Sequence, residues 1–520
     1  MKVSSGIFIL FLNLLIINYG SSLKVLGILP FFSKSHFAIG SSIINSLHSA
    51  GHNITVISPF PQSNYFKERY RDVDISDLLT EYEKDNKAVN PFELVNIPKP
   101  LMMLMLYQFG AMAVDFVMTH KSVKELMDSN EMFDVCILET FNADAFVGFS
   151  DYFNCTLISY TTFGAVKWID AMTGNESPSS YVPHPFLDYT DKMTFTERLW
   201  NKFYNILENL LFNLYHLSKQ RSLYNKYFPN AKKSFDEMFK GSAIIFQNSH
   251  VTSSFPRPYL PNMIDICGIH VKPAKLLPND LQEFIDSAED GVIIFTMGSF
   301  INSKDFPIEK REAIVKTFGK LKQKIIWKYE NDTLPDNPGN IKISSWLPQR
   351  DLIAHKNVKL FITHGGLLGT TEALTEGLPV LGIPIFGDQK MNMVKAEARG
   401  YGLHVAYDEL NEETFSKALN EILSNPKYKK NAEIISKRFI DRPMTPQETV
   451  VYWTEYAVRH DGAKHLRASG NDLNFIQFHS IDVYLVLFVI FVFMLSITFT
   501  ITKLLLKKLF CKSDAKQKKN

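Results

Sequence analysis

The chain has 520 residues, of which 46% are hydrophobic and 21% are charged. This composition excludes a collagen-like or disordered protein, and the length suffices for two large domains with appended segments. The formal net charge of +2 conceals a basic tail after residue 502, so nothing elsewhere in the chain attracts nucleic acid. The four cysteines form no Cys-x-x-Cys pair, which argues against a disulfide framework or a structural zinc site. Cys136, Cys155 and Cys267 allow at most one bridge, and we expect buried free thiols.

The two ends of the chain carry apolar segments of different lengths. Residues 1–22 place Lys2 before a short apolar run and several small residues, which predicts a secretory signal peptide. Residues 483–501 contain no charged residue and lysines follow closely, which predicts a transmembrane helix at 481–506 and a basic cytoplasmic tail at 507–520. The predicted topology is therefore type I, with the intervening residues in the lumen of the secretory pathway.

Four Asn-x-Ser/Thr sequons fall in that intervening portion. They are Asn53, Asn154, Asn175 and Asn331. Each is a candidate for N-glycosylation if it is exposed. Asn154 and Asn331 lie in loop-like surroundings and are the better candidates, whereas Asn53 runs directly into an apolar segment.

Short apolar segments alternate with amphipathic stretches in two series. The first series is 24–29, 54–58, 135–138, 157–160 and 243–248, and the second is 292–297, 324–328, 341–344, 360–363 and 380–383. This alternation predicts two α/β domains, at 23–275 and 276–445, each with a parallel sheet covered by helices, followed by further helices at 446–480. Ligands bind beyond the carboxyl ends of such strands, so we expect the site in the cleft between the domains.

Two long apolar stretches in the first domain are unusual. Residues 101–118 contain five methionines, and residues 195–217 are crowded with aromatic and leucine side chains. Ordinary helix packing explains both. The alternatives are a surface for adaptable hydrophobic ligands in the first stretch and a membrane-contacting helix in the second.

The most informative motif is residues 361–389, FITHGGLLGTTEALTEGLPVLGIPIFGDQ. It reads as a strand, a glycine turn, a helix, a second strand and a polar tip. The glycines let the backbone approach a ligand, and the free N–H groups at the start of the helix favour a phosphate there. Glu372 can accept the hydroxyls of a ribose, and Asp388 and Gln389 can bind a sugar through hydrogen bonds.

This motif resembles the signature of UDP-glycosyltransferases, specifically the membrane-bound animal family of glucuronosyltransferases and their arthropod glucosyl relatives. Further resemblance lies in residues 346–349 (WLPQ), 255–261 (FPRPYLP), 296–300 (TMGSF) and 462–467 (GAKHLR). The resemblance implies the GT-B fold, in which two Rossmann-like domains face each other across a cleft, here followed by a C-terminal transmembrane helix.

The resemblance also assigns residues to UDP. These residues are Trp346, Gln349, His364, Gly366, Gly369, Glu372, Ser299, Arg257 and Asn392. Trp346 is expected to stack on the uracil and Gln349 to reach the base or ribose. The helix amides, His364 and Arg257 are expected to neutralise the diphosphate, so no metal cofactor is expected. The only Asp-x-Asp triplet, at 72–74, is interpreted as part of a polar loop outside both strand series.

The catalytic base implied by the resemblance is His36, just after the first strand. The family pairs this histidine with an aspartate, and the matching position here is Glu139, one methylene longer. We prefer Glu139 as the partner, with Asp144 as the rival. A single imidazole base facing a diphosphate predicts direct displacement with inversion at the anomeric carbon.

The expected function is transfer of a hexose from a UDP-sugar to a hydroxyl of a small lipophilic acceptor. Glucose is favoured because residues 367–368 resemble arthropod members. A glucuronosyltransferase and a non-catalytic, membrane-tethered binding protein are the alternatives. The signal peptide, the anchor and a dilysine-like tail indicate the endoplasmic reticulum membrane, and homo-oligomers are possible in this family.

Overall fold

The structure is a computed structural model that describes residues 22–66, 68–86 and 90–517. The predicted signal peptide therefore lies almost wholly outside the described residues, as does the tip of the tail. One compact unit extends to Arg467 and a second begins at Ala468. Two lobes, each built on one sheet, make up the first unit.

A parallel sheet of seven strands forms the first lobe, in the order β3-β2-β1-β4-β5-β6-β7. The strands are β1 (Lys24–Ile28), β2 (Asn53–Ser58), β3 (Tyr70–Asp74), β4 (Val135–Glu139), β5 (Thr156–Thr161), β6 (Ile244–Gln247) and β7 (Met263–Asp265). The central strands are buried on both faces because helices cover the sheet from both sides.

The helices of the first lobe include two long ones in the stretches singled out above. They are α1 (Lys34–Ser49), α2 (Asp77–Asn86), α3 (Lys99–Thr119), α4 (Lys121–Met127), α5 (Gly148–Phe153), α6 (Lys167–Thr173), α7 (Phe195–Leu211), α8 (Leu217–Tyr227) and α9 (Phe235–Phe239). A π-helical turn, Phe212–His216, joins α7 to α8. Short 3₁₀ turns lie at Pro91–Asn96 and Asp144–Val147.

A second parallel sheet, of six strands in the order β10-β9-β8-β11-β12-β13, forms the second lobe. Its strands are β8 (Val292–Thr296), β9 (Lys324–Lys328), β10 (Ile341–Ser344), β11 (Val358–Thr363), β12 (Val380–Gly382) and β13 (Gly402–His404). Its helices are α10 (Asn279–Asp286), α11 (Ile308–Gly319), α12 (Gln349–Ile353), α13 (Leu367–Thr375), α14 (Gln389–Ala398), α15 (Glu412–Ser424) and α16 (Lys427–Ile440), with a 3₁₀ turn at Ser303–Asp305.

After the second sheet the chain returns to the first lobe. Helix α17 (Pro446–Arg459) packs against α1 and β6, and its Val450 and Ala457 are fully buried in the first lobe's core. The 3₁₀ turns Lys464–Leu466 and Ser469–Asp472 follow. The second unit contains α18 (Phe475–Phe478) and α19 (Ile481–Gln517), and residues Ile481–Lys508 are long and apolar enough to cross a membrane. This span matches the predicted transmembrane helix.

All ten predicted strands are present, and the three missed strands, β3, β7 and β13, are edge strands. The interpretation of residues 72–74 as a loop is wrong, because Asp72 and Asp74 belong to β3. In that strand only Val73 is buried, so the apolar signal of a strand is lost. Both aspartates accept backbone N–H groups, Asp72 from Gln62 and Ser63, and Asp74 from Ser76.

Two expectations about modification change with the structure. Cys136 and Cys155 form a disulfide between β4 and the start of β5, so the expectation of free thiols holds only for Cys267 among the described residues. Asn175 is a poor glycosylation candidate because its amide is buried and donates to Asp170 and to the Pro258 carbonyl. Asn53, Asn154 and Asn331 are exposed.

A side chain from the first lobe is buried in the core of the second. Phe92, in the turn Pro91–Asn96 between α2 and α3, is 4% exposed and lies within the second lobe's hydrophobic core. Its ring centroid is 4.6 Å from that of Phe306 and 5.2 Å from that of Tyr407. The first lobe therefore contributes an apolar side chain to the core of the second.

We expect Phe92→Ala to lower the free energy of unfolding by about 3 kcal/mol, because the truncation removes a buried ring and leaves a cavity between the lobes. Chemical denaturation of the detergent-solubilised protein measures this change. Tyr65→Ala, at a position that is 81% exposed, is the control and should leave the unfolding curve unchanged. An unchanged curve for Phe92→Ala would show that the contact contributes no stability.

Candidate active site

Residues of both lobes meet near the carboxyl ends of the two sheets. Lys390, at the start of α14, forms an ion pair of 2.6 Å with Asp188 of the first lobe. Burial raises the pKa of Asp388, and the charge of His36 on the opposite lobe is among the influences that lower it. His36 and Asp388 therefore face the same cleft from opposite lobes.

His36 lies in the first turn of α1, and Glu139 is the last residue of β4. Because β1 and β4 are neighbouring parallel strands, the turn that follows β1 lies beside the end of β4. Nδ1 of His36 hydrogen bonds to Oε1 of Glu139. With Nδ1 held by the carboxylate, Nε2 is the ring nitrogen that can exchange a proton with a ligand.

The carboxylate of Glu139 is buried and has two further partners. The hydroxyl of Tyr160 donates to Oε2 at 3.2 Å, and the hydroxyl of Thr162 donates to Oε1 at 3.3 Å. Burial and the charge of Glu139 raise the pKa of Tyr160, so this phenol remains a donor. These contacts fix the carboxylate and, through it, the imidazole.

Asp144, the rival partner, has another role in the structure. Its Oδ2 hydrogen bonds to Nε2 of His216 at 2.6 Å, and both side chains are 1% exposed. Asp144 lies on the 3₁₀ turn after β4, which directs it toward the π-helical turn before α8. The structure therefore brings Glu139, and not Asp144, to His36.

Three residues form the predicted base and ribose site. Trp346 lies in the loop between β10 and α12 with its indole largely exposed, as stacking on a base requires. Gln349 begins α12, and its Nε2 donates to Oε2 of Glu372 at 2.7 Å. Burial raises the pKa of Glu372, while this hydrogen bond and the charge of Arg350 lower it. Gln349 thus holds the carboxylate that is expected to accept ribose hydroxyls.

The predicted diphosphate cradle surrounds His364, which follows β11. A Cβ on Gly298 would lie 2.5 Å from Cε1 of His364, and a Cβ on Gly366 would lie 2.4 Å from its Nε2. Only glycine therefore fits on either side of this imidazole. Helix α13 begins directly after Gly366, and glycine has no side chain that could cap the helix. The first N–H groups of α13 are therefore available to an anion. Ser299, which follows Gly298, is exposed at the same place.

The burial of His364 in this cradle determines its charge. Burial, together with the nearby charge of Lys328, lowers the pKa of His364 to about 4. Its imidazole is therefore neutral near pH 7. The expectation that His364 neutralises the diphosphate is therefore corrected: a neutral ring supplies no charge. The ring is neutral because burial removes the hydration that a cation requires.

The sugar candidates lie at the start of α14. Oε1 of Gln389 accepts the N–H groups of Ile385 and Phe386, at 2.9 and 3.1 Å, which leaves the amide nitrogen for a sugar hydroxyl. Nδ2 of Asn392 donates to the Gly365 carbonyl at 3.0 Å and to Asp388 at 2.8 Å. Both N–H groups of Asn392 are used, so it braces the cradle and is not a phosphate ligand.

Arg257 also differs from its predicted role. Its guanidinium forms an ion pair with Asp170 at 3.1 Å and donates to Ser177 and to the Ala165 carbonyl, all in the first lobe. These contacts hold Nη1 and Nη2 within the first lobe and leave Nε without a partner. The structure therefore pairs the charge of Arg257 with Asp170 rather than leaving it for the diphosphate.

Lys395 on α14 was not predicted from the sequence. The spacing of Asp388, Asn392 and Lys395 by four and three residues places them on one helix face, and this spacing could have indicated that Lys395 belongs to the site. Burial lowers the pKa of Lys395 to about 8, while the charge of Asp388 raises it and that of Arg257 lowers it. Lys395 borders a small, open pocket that Thr370 and Asn392 also line.

Tyr160 and Thr162, the partners of Glu139, were also missed. Both follow from the register of the first sheet, in which Glu139 pairs with Tyr160 on the adjacent strand β5. The strand at 157–160 was predicted, but its register against the strand that ends at Glu139 was not.

Solved structures with this arrangement of two lobes are glycosyltransferases of the GT-B fold. The calicheamicin glycosyltransferase CalG4 matches with a TM-score of 0.55 and 13% identity, over 85% of this chain and 100% of that one. The spinosyn forosaminyltransferase SpnP also matches with a TM-score of 0.55, at 15% identity, over 84% of this chain and 100% of that one. The fold predicted from sequence is confirmed.

The family described as UDP-glucoronosyl and UDP-glucosyl transferase matches residues 24–519. UDP-glycosyltransferase UGT5 of Dactylopius coccus is 37% identical over 94% of this chain and 92% of its own length. UDP-glucuronosyltransferase 2C1 of Oryctolagus cuniculus is 31% identical over 93% of this chain and 99% of its own length. The chain therefore belongs to this family and is a UDP-glycosyltransferase.

The site generates a prediction about stability. His250, His270 and His364 each have a pKa lowered by burial to about 4, from an ordinary value of 6.5. Between these values the unfolded chain binds protons that the folded chain does not. The contribution of these imidazoles to stability is thus complete above about pH 6.5 and is lost as the pH falls toward about 4, whereas burial of Asp265, which raises its pKa to about 7, acts in the opposite direction.

We expect acidification from about pH 7 to about pH 5 to destabilise the wild type more than His250→Gln, which cannot take up the proton, so that the two melting temperatures diverge in this range. His250 is the best test because it lies outside the cradle, where its Nδ1 is 2.8 Å from the Thr252 hydroxyl. Thermal unfolding in the absence of UDP measures both profiles. Identical slopes for the two proteins would exclude a contribution from His250.

Proposed function

We propose that the enzyme transfers glucose from UDP-glucose to a hydroxyl of a small lipophilic acceptor, with inversion at the anomeric carbon. The observation that carries this proposal is His36, held through Nδ1 by Glu139, on the lobe opposite the glycine cradle. A base on one lobe and a diphosphate site on the other are what a single displacement requires.

In the proposed reaction, Nε2 of His36 takes the proton of the acceptor hydroxyl as its oxygen attacks the anomeric carbon. The bond from that carbon to the diphosphate oxygen breaks, and its electron pair leaves with UDP. Glu139 stabilises the imidazolium that forms, and the N–H groups that begin α13 stabilise the charge that develops on the diphosphate. These groups of the chain carry out the proposed step, and no metal is assigned to it.

An apolar pocket near His36 supports the proposal that the acceptor is lipophilic. It is a small, open pocket lined by Phe32, Phe109, Met112, Ala113 and Phe116. The ring of Phe31 links it to the base, since its centroid is 5.8 Å from Phe109 and 5.6 Å from His36. Phe109, Met112 and Phe116 belong to α3, the methionine-rich helix. An aromatic or aliphatic acceptor in this pocket would lie next to His36.

Glucose is preferred because Arg257, the arginine expected nearest the donor, is paired with Asp170 and leaves no guanidinium for a sugar carboxylate. Asp388 and the Gln389 amide suit uncharged hydroxyls. One relative from Dactylopius coccus, 31% identical, is named UDP-glucosyltransferase 2. Lys395 favours the second candidate donor, UDP-glucuronic acid, because a partly buried ammonium beside Asp388 can bind a carboxylate.

We also propose that the enzyme acts in detoxification, in the membrane of the endoplasmic reticulum, with its two lobes in the lumen. The disulfide between Cys136 and Cys155 supports an oxidising compartment. The exposed sequons Asn53, Asn154 and Asn331 are the glycosylation sites that this location offers. The span Ile481–Lys508 anchors the chain.

We expect His36→Ala to lower kcat by about 10² to 10⁴ while UDP still binds, because only the base is removed. Glu139→Gln should lower kcat less and shift the pH–rate profile. UDP release with a panel of phenols, in the presence of EDTA, measures turnover. His48→Ala, on the same helix, is the matched control and should retain wild-type turnover. Near-normal turnover by His36→Ala would refute the mechanism, and binding of phenols without UDP release by the wild type would favour a carrier.

We expect kcat/KM to be higher with UDP-glucose than with UDP-glucuronic acid, since the guanidinium of Arg257 is paired with Asp170. Microsomes that contain the expressed enzyme allow both donors to be compared with one acceptor. Lys395→Gln tests the second candidate in the same assay. A preference for UDP-glucuronic acid that Lys395→Gln abolishes would contradict glucose as the donor.

A further inference from the structure

Exposed aromatic side chains in the second lobe are confined to the proposed donor site. The structure describes every residue of 276–445, and among the Phe, Tyr and Trp residues in that range only Trp346 and Phe300 are exposed, at 69% and 55%. Trp346 is the residue expected to stack on the base, and Phe300 directly follows Ser299. The next residue, Ile301, is 1% exposed within the core of the lobe. The turn after β8 therefore directs residue 301 inward and residue 300 outward.

The ring of Phe300 contacts a loop on the far side of the cradle. Strands β8, β11 and β12 are neighbours in that order, so the loops after β8 and β12 lie on either side of the end of β11. Strands two places apart are separated by about 10 Å, a distance that two aromatic rings can bridge. Phe300 follows β8, Phe386 follows β12, and their ring centroids are 5.5 Å apart. This pair spans the end of β11, which His364 follows.

Phe386 gives the exposed ring a defined position. The side chain of Phe386 is half-buried against the core of the second lobe, and its backbone N–H donates to Oε1 of Gln389 at 3.1 Å. The two rings meet edge to face, at an interplanar angle of 67°, which is a favoured geometry for aromatic pairs. A ring that is already held in place loses little conformational freedom when it binds a ligand.

These contacts place Phe300 between the residues assigned to the diphosphate and those assigned to the sugar. Two residues before it, Gly298 lies against His364 so closely that a Cβ there would be 2.5 Å from Cε1. Its ring partner, Phe386, lies two residues before Asp388. The hexose of a UDP-sugar connects the diphosphate to the groups that bind its hydroxyls. If the proposed function holds, the hexose therefore lies beside Phe300.

A pyranose ring needs both polar and apolar contacts. Asp388 and the amide of Gln389 can bind its hydroxyls, but its ring C–H groups form an apolar face that gains nothing from them. Ligand sites commonly combine a few polar groups, which fix the orientation, with aromatic walls, which remove apolar surface from water. The ring of Phe300 can cover the C–H face without leaving a polar group unpaired.

We propose that Phe300 is a donor-binding residue whose ring packs against the C–H face of the hexose. This contact contributes to the affinity for the UDP-sugar and not to the affinity for UDP. The proposal rests on the proposed function, because it takes a nucleotide sugar as the ligand. It assigns recognition of the sugar ring itself to a residue outside the motif at 361–389.

The test compares UDP with UDP-glucose as ligands of the full-length enzyme in detergent, by calorimetry without an acceptor. We expect Phe300→Ala to weaken UDP-glucose binding by about fivefold and to leave UDP binding unchanged, because only the contact with the sugar is removed. Phe300→Tyr keeps the ring and should retain the wild-type ratio of the two affinities. Ile308→Ala, at a position 64% exposed in the same lobe, is the matched control and should also retain it.

Steady-state kinetics give a second readout. Phe300→Ala should raise KM for UDP-glucose and leave kcat and the KM for the acceptor unchanged, since the contact is made equally in the ground state and the transition state. A structural disturbance of the turn would instead weaken UDP as well, because Gly298 and Ser299 belong to the same turn as Phe300.

Two results would overturn the proposal. One is the same ratio of UDP-glucose to UDP affinity in Phe300→Ala and the wild type, and the other is an equal loss of both affinities. Failure of the proposed function is distinguishable, because a wild type that binds UDP-glucose but releases no UDP with any acceptor contradicts the reaction and leaves the binding comparison valid. If UDP-glucuronic acid is the preferred donor, the same ratios are expected with it, since its pyranose has the same C–H face.

Discussion

The pairing of His36 with Glu139 is the interaction on which the proposed chemistry depends. It exists because β1 and β4 are adjacent parallel strands, so that the residues following one strand lie beside the last residue of the other. The longer glutamate side chain still reaches Nδ1, and the hydroxyls of Tyr160 and Thr162 hold it in place. An imidazole fixed in this way presents Nε2 in one direction only, which is toward the cleft in the proposed mechanism.

The second lobe supports the complementary task through backbone rather than charged side chains. In this lobe His364 is neutral because of its burial and Asn392 is used within the protein, and Arg257 of the first lobe is paired with Asp170. What remains for a diphosphate is the uncapped start of α13, next to glycines that cannot carry a side chain. Helix N–H groups need no reorganisation when charge develops on a leaving group, which is why such a cradle suits a displacement reaction.

The two unusual apolar stretches have different explanations. Helix α3 is largely part of the core and contributes one wall of the apolar pocket. Helix α7 has the opposite arrangement, with its polar side inside and its apolar side outside. Both apolar helices were visible in the sequence, but only the contacts of Asn201 and Glu208 show which side of α7 faces outward.

The sequence by itself determined the features that lie within one local segment. These are the ten predicted strands, the glycine turn before α13, the membrane span and the assignment of the chain to its family. Their signals are hydrophobic runs, glycines and spacing, which act over a few residues and need no partner elsewhere in the chain. The order of the central strands, and hence the contact between Glu139 and His36, was accessible only through the family resemblance.

Only the tertiary structure decided which partner each polar side chain takes. Arg257 pairs with Asp170, Asp144 with His216 and Cys136 with Cys155, and in each pair the two residues are distant in sequence. The edge strand at 72–74 was missed for a related reason, since a strand covered on one side only lacks a continuous apolar run. A buried polar group must find a partner wherever packing brings one, and packing depends on the whole chain rather than on its local pattern.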